Sequence, residues 1–267
     1  MVVAIDCADE RVRKISFTGS HDVGRRITAV AGVKRLSLEL GASCPVIVLQ
    51  DADIEQVAAA IAVGGYVNAG QVCISVQRVL VDRAVHGDLL DALRAKVEAI
   101  QVGDPFAPGT QLSALISEVE AKRVERAIND AVEAGASLVT GGQRSGAVIA
   151  PAIVAGVAPG SALFHQELFG PAVAVTAVDG IDEAITLAND NPYGLGAGIF
   201  TSDIGKAMRF ARDVDCGSIQ INWTPLWRAD LMPYGGLKAS GIGKEGPRYA
   251  IEEMTELKTV VIHDVAG

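Results

Sequence analysis

The stretch KISFTGSHDVGRRITAVAGVKRLSLEL, residues 14–40, decides how the rest of the chain is read. KISFTG has the composition of a short strand, and SHDVGRRITAVAG follows as an amphipathic helix whose first residue, Ser20, suits an N-cap. KRLSLEL then predicts a second strand. Outward from it the alternation continues: PVIVLQ as a strand, then a helix from an Asp53 N-cap to Gly65. The longest helix is SEVEAKRVERAINDAVEAG, with Ala121, Val124, Ile128, Ala131 and Val132 as one apolar face and Gly135 as its stop. Further on come GPAVAVTAV, GAGIF and GSIQIN as strands, with IDEAITLANDN and TSDIGKAMRFARDVD as the helices between them, read as a second doubly wound layer. The glycine-rich loop PYGGLKASGIGKEG leads to a short helix near 249–254. KTVVIH, residues 258–263, closes the chain as a strand with no partner inside it, an edge or a pairing device for another subunit. The fold class is α/β.

Composition narrows the function. The chain has 267 residues, 49% hydrophobic and 21% charged, with a formal net charge of -9. That is enough apolar material for a sizeable core in one large or two modest domains. The negative balance argues against a nucleic-acid partner or attraction to anionic membranes. No apolar run approaches the roughly 20 residues that a membrane span needs. MVVAIDCADERVRK has no basic region ahead of its short apolar stretch, so no signal peptide is expected, and a cytoplasmic setting follows. Cys7, Cys44, Cys73 and Cys216 form no CxxC pair and meet no HxxxH, which predicts neither metal site nor disulfide framework.

Generic nucleotide and hydrolase fingerprints are absent: residues 19–24 are not GxGxxG, and neither a P-loop nor GxSxG occurs. Three features remain. FTGSHDVG runs a strand into a glycine-punctuated helix start, which reads either as a phosphate cradle or as an ordinary Ser20 N-cap. Glu39, in SLELGASCP, reads either as a buried carboxylate with a raised pKa, suited to accepting a proton, or as a strand-end glutamate that reaches water. Cys73, in GYVNAGQVCIS (65–75), follows small residues that let backbone approach a substrate. Its thiol is either a nucleophile activated by nearby N–H dipoles or a small buried hydrophobe.

Seven stretches in order tie these features together: ISFTGSHDVGRRI, LELGASCPVIVLQDADI, NAGQVCISVQRVLV, ELFGPAVAV, NDNPYGLGAGIFT, GSIQIN and MPYGGLKASGIGKEG. In them the chain from Ile15 onward resembles the NAD(P)-dependent aldehyde dehydrogenase superfamily. The resemblance implies that Cys73 is the nucleophile, Glu39 the base that activates the hydrolytic water, and Asn222 a residue ordering the site near the aldehyde. It implies that Gly19, Ser20 and Gly24 face the pyrophosphate of NAD or NADP, that Glu167 holds the nicotinamide ribose, and that Phe169 packs beside the nicotinamide. NWTPLWRADLMPYGG would line the aldehyde entrance, favouring a small hydroxylated or anionic aldehyde. There Arg228 reads either as a bidentate partner of an anionic group or as a surface arginine paired with Asp230.

The family's chains are nearly twice as long, and the first part of their cofactor domain has no counterpart here. The expected organisation is therefore an incomplete dinucleotide-binding domain ending at residue 41, an α/β catalytic domain over 42–245, and a C-terminal helix and oligomerisation strand over 246–267. A homo-oligomer is the expected assembly. The competing expectation is a catalytically silent remnant that folds and self-associates without dehydrogenase activity.

Overall fold

The structure, a computed structural model, describes residues 7–263; residues 1–6, on which the signal-peptide expectation falls, and residues 264–267 lie outside the described residues. The strands are β1 (Lys14–Thr18), β2 (Arg35–Glu39), β3 (Cys44–Val48), β4 (Val76–Asp82), β5 (Ser137–Thr140), β6 (Arg144–Ser145), β7 (Val148–Ile149), β8 (Ala152–Ala155), β9 (Ala172–Val178), β10 (Tyr193–Gly194), β11 (Gly196–Phe200), β12 (Ser218–Ile221), β13 (Leu237–Lys238) and β14 (Gly241–Ile242).

β1 and β2 pair in parallel across the crossover helix His21–Ala31, as the opening stretch predicts, and β14 adds antiparallel to β2. The main sheet has seven strands in the order β12-β11-β3-β4-β9-β8-β5, all parallel except β5. Val46, Ile47 and Val48 of β3 and Val79, Leu80 and Val81 of β4 are fully buried, as strands covered on both faces must be. The downstream strands do not form a second layer. β3 inserts between β11 and β4, so PVIVLQ and the later strands share one core.

Helix starts fall where cap chemistry places them. Ser20, Asp53 and Ser117 each accept a hydrogen bond from the backbone N–H three residues on. In the helix Glu118–Glu133 the residues Ala121, Val124, Ile128 and Ala131 are buried, whereas Val132 lies on the rim at 37% exposure. At 3.6 residues per turn Val132 falls on the edge of the apolar stripe, in the last turn of the helix.

The strand expected over 258–263 does not form. Residues 258–263 carry no strand and are exposed. The segment 233–246 instead links the two sheets. β13 pairs with β10, the Ser240 hydroxyl accepts from Gly194 N–H and donates to Gly41 O, and β14 then rejoins β2. The following helix, Pro247–Met254, returns to the small sheet, where Glu253 takes Lys14 and the Ser37 hydroxyl. No helix among the described residues is long and apolar enough to cross a membrane.

Candidate active site

The thiol is positioned by an interrupted helix. The helix Ile54–Tyr66 is apolar on most sides and ends as the Tyr66 hydroxyl donates to Ala152 O at 2.8 Å. The chain then tightens into a short turn, Val67–Gly70, in which Asn68 and Ala69 take φ of 51° and 54°. Gly70 continues at φ 71°, and a Cβ there would stand 2.2 Å from Gly170 O, so only glycine fits. A further turn closed by Ser75 N–H on Val72 O carries Cys73 on its tip before β4 begins. The Ser75 hydroxyl, within reach of Gly64 O and Gly65 O, ties that tip to the helix end.

Cys73 is half-buried against an apolar cluster of Ala42, Cys44, Ile74, Leu195 and Tyr234. Its Sγ lies 3.0 Å from the Tyr234 hydroxyl. Burial pushes the thiol pKa up, and the Glu167 and Glu39 charges add to that; the Tyr234 hydroxyl and the residue's own backbone N–H act the other way. The expectation of a thiol activated by surrounding dipoles is thus corrected in sign, since burial outweighs the donors.

Glu39 ends β2 at 8% exposure, and its Oε2 has no partner. Burial first, then Glu245 and Glu253, raise its pKa to about 7 against the pull of Lys244 and Arg228. Of the two readings of Glu39, the structure supports the buried carboxylate. Lys244 is tied to Gly235 O at 2.5 Å and stands close enough to bias it.

Glu167 reaches across to the turn after β2. Its Oε1 accepts from Ala42 N–H at 3.1 Å, and its Oε2 occupies the space above Gly41, where a Cβ would sit 2.4 Å away. Burial raises its pKa while the Ala42 N–H and Arg123 pull it down. Phe169, at φ 48° and 41% exposed, shares with Glu167 a cleft lined by Ala42, Gly70, Val72 and Gln77. The Gln77 carboxamide holds this segment by donating to Leu163 O and Gln166 O and accepting from Leu168 N–H.

The remaining sequence candidates are placed differently from expectation. Gly19 N–H is used by Glu39 O and Gly24 N–H by Ser20 O, so neither glycine has a free donor for a pyrophosphate. Gly24 is a packing glycine, since a Cβ there would strike Leu40 at 2.6 Å. Ser20 caps the helix through Val23 N–H. Asn222 does not reach the thiol: it follows β12 at the opposite end of the main sheet, where its Oδ1 accepts from Thr201 N–H at 3.0 Å. Cys73 lies at the other strand ends, beside Cys44. Arg228 pairs with Glu245 at 3.4 Å rather than with Asp230, and its guanidinium stacks 4.4 Å over the Tyr234 ring.

Tyr234, Gln77 and Ser240 were missed from the sequence. Tyr234 is the one with a legible signal, an aromatic side chain fixed before paired glycines in PYGGL. Among the described residues no group of three or more His, Cys, Asp or Glu side chains is arranged to hold a metal. Chemically, the site offers a thiol, a buried carboxylate whose pKa is raised to about 7, and a small cleft beside Glu167 and Phe169.

The aldehyde dehydrogenase family model matches residues 3–260. The chain is 45% identical over 255 residues to a 3-sulfolactaldehyde dehydrogenase of Priestia aryabhattai, covering 96% of this chain and 54% of that one. It is 41% identical to a lactaldehyde dehydrogenase of Methanococcus aeolicus, over 96% of this chain and 55% of the relative. Among solved structures, the glyceraldehyde-3-phosphate dehydrogenase GapN of Methanocaldococcus jannaschii complexed with NADP superposes with a TM-score of 0.95 at 40% identity. That match covers 98% of this chain and 57% of the other. The chain spans about half the length of the curated relatives it matches.

Proposed function

The chain belongs to the aldehyde dehydrogenase family, and from that premise we propose that Cys73 is the nucleophile of a site oxidising an aldehyde to a carboxylate with NAD or NADP. The observation that carries this is a thiol held on a turn tip against the Tyr234 hydroxyl, with the buried Glu39 carboxylate near enough for its charge to act on the thiol.

The Cys73 thiolate adds to the carbonyl carbon, forming the C–S bond and moving the π pair onto oxygen as a thiohemiacetal alkoxide. NAD or NADP, when bound, supplies the acceptor for the hydride lost from that carbon. The Glu167 carboxylate over Gly41 and the exposed Phe169 ring fit the ribose hydroxyls and nicotinamide of such a group and would hold them. The acyl carbon then remains on Cys73 as a thioester. Glu39 takes a proton from water as that water adds, the C–S bond breaks to return Cys73 as the sulfur anion, and the carboxylic acid gives its remaining proton to solvent and leaves as its carboxylate. Ser20 contributes the capped helix start toward the pyrophosphate, while Gly19 and Gly24 contribute close packing. Asn222 contributes by ordering the strand ends.

A small hydroxylated or anionic aldehyde is the substrate class we favour. Support comes from the relatives named for 3-sulfolactaldehyde and lactaldehyde, and from Arg228, whose guanidinium lies on the Tyr234 wall of the thiol pocket. The exposed apolar segment with Leu257, Val260, Val261 and Ile262 supports self-association, and four free thiols support a reducing, cytoplasmic setting.

The test uses two reactions, NADH or NADPH formation from a panel of small aldehydes and hydrolysis of an activated ester, which needs the thiol but no cofactor. Cys73→Ala is expected to abolish both. Ester turnover that survives in Cys73→Ala would remove Cys73 from the mechanism.

A further inference from the structure

We propose that the Tyr234 hydroxyl is a catalytic hydrogen-bond donor that holds the Cys73 sulfur as a thiolate. The inference rests on the reading of Cys73 as the nucleophile and assigns to this chain a residue that the mechanism above does not use.

The geometry carries it. Tyr234 Oη lies 3.0 Å from Cys73 Sγ, and among the described residues this is its only hydrogen bond. While the thiol keeps its proton, either atom can donate. Once the proton leaves, sulfur only accepts, and the contact survives solely with the phenol as donor. A hydrogen bond of this kind strengthens when the acceptor becomes charged, so it favours the thiolate over the thiol.

The surroundings fix the phenol in that role. Its ring is 5% exposed, and its backbone exchanges two hydrogen bonds with Glu245, at 2.6 and 3.2 Å. The Arg228 guanidinium over the ring face withdraws electron density and makes the hydroxyl a better donor. Burial and the neighbouring Cys73 and Glu39 charges push the phenol pKa above its ordinary range, so its proton stays on oxygen while sulfur ionises. The site also needs such a donor. Burial and two carboxylates oppose the thiolate, and apart from Tyr234 the residue's own backbone N–H is the one hydrogen bond favouring it. A phenylalanine would pack the same volume, so the hydroxyl's distinct contribution is the contact with sulfur.

The experiment is the pH dependence of Cys73 alkylation by iodoacetamide in the wild type and in Tyr234→Phe, with Cys73→Ala giving the background of the other thiols. The midpoint is expected to rise by about one pH unit in Tyr234→Phe, with about tenfold slower alkylation below the midpoint, the size of a charge-assisted hydrogen bond partly replaced by water. Incorporating 3-fluorotyrosine at position 234, a more acidic donor with nearly the same shape, is expected to lower the midpoint instead. Superimposable profiles for all three proteins, or a lower midpoint in Tyr234→Phe, would overturn the proposal. Ester hydrolysis separates this from the underlying reading. A chain whose Cys73-dependent ester turnover persists but whose profile ignores Tyr234 defeats the donor alone, whereas ester turnover independent of Cys73 defeats both.

Discussion

In the proposed mechanism Glu39 couples the chemistry of the site to pH. Its carboxyl is raised from the ordinary range to about 7, so at pH 6 it is largely protonated and cannot take a proton from water. Thioester hydrolysis is therefore expected to rise with pH through about 7, measured as steady-state turnover under conditions where acyl release limits the rate. Glu39→Gln should remove that limb and cut deacylation by on the order of 100-fold or more. The same shift has an opposite-signed effect on folding. A group whose folded pKa is raised stabilises the fold below its unfolded pKa, near 4.5, and that contribution is lost as pH climbs toward 7. Glu39→Gln should accordingly be more stable than wild type at pH 8, by about 1 kcal/mol after allowing for water at the cleft mouth, and nearly equal to it at pH 4. Thermal melting at the two pH values checks this. At this scale motif resemblance nominated Cys73, Glu39 and Glu167 as candidates. It could not expose Tyr234, because the pairing of that hydroxyl with Cys73 spans 161 positions and depends on tertiary placement alone.

The elements around the thiol are held by local backbone devices more than by apolar pattern. The turn Val67–Gly70 packs three positive φ values against the backbone of Gly170. Gly70→Ala would place a Cβ 2.2 Å from Gly170 O in a conformation that side chains disfavour. The expected outcome is a loss of about 2–4 kcal/mol and a melting temperature lower by roughly 5–10 °C, with slower Cys73 alkylation as the tip shifts. An unchanged melt with unchanged alkylation would show that the turn is not under this constraint. Helix starts at Ser20, Asp53 and Ser117 were legible because capping depends on residues three positions apart. The placement of Asn222 follows the same terms: which end of a parallel sheet a residue occupies depends on strand polarity, which is not a local property.

For the whole molecule, alternation of strands and helices made the α/β class readable, but strand order did not follow from it. The later strands were read as a layer of their own, whereas PVIVLQ has β4 and β11, both later in the chain, as its neighbours in one sheet. The tail 255–263 leaves Leu257, Val260, Val261 and Ile262 exposed to solvent. Association through this segment is expected, so light scattering should show a concentration-dependent rise in mass that Val261→Lys weakens. A monomer at all concentrations would count against it. One consequence concerns the segment from Tyr234 to Ile242, which touches the thiol at its start, ties Ser240 between Gly41 and Gly194 midway, and ends in the small sheet. Because both ends and the middle are anchored, the segment behaves as a ruler. Exchanging the exposed Leu237 side chain leaves the anchors alone, but adding or removing one residue between Gly235 and Ser240 forces one of them out of step. Family members sharing this arrangement should therefore vary in the spelling of this segment far more readily than in its letter count.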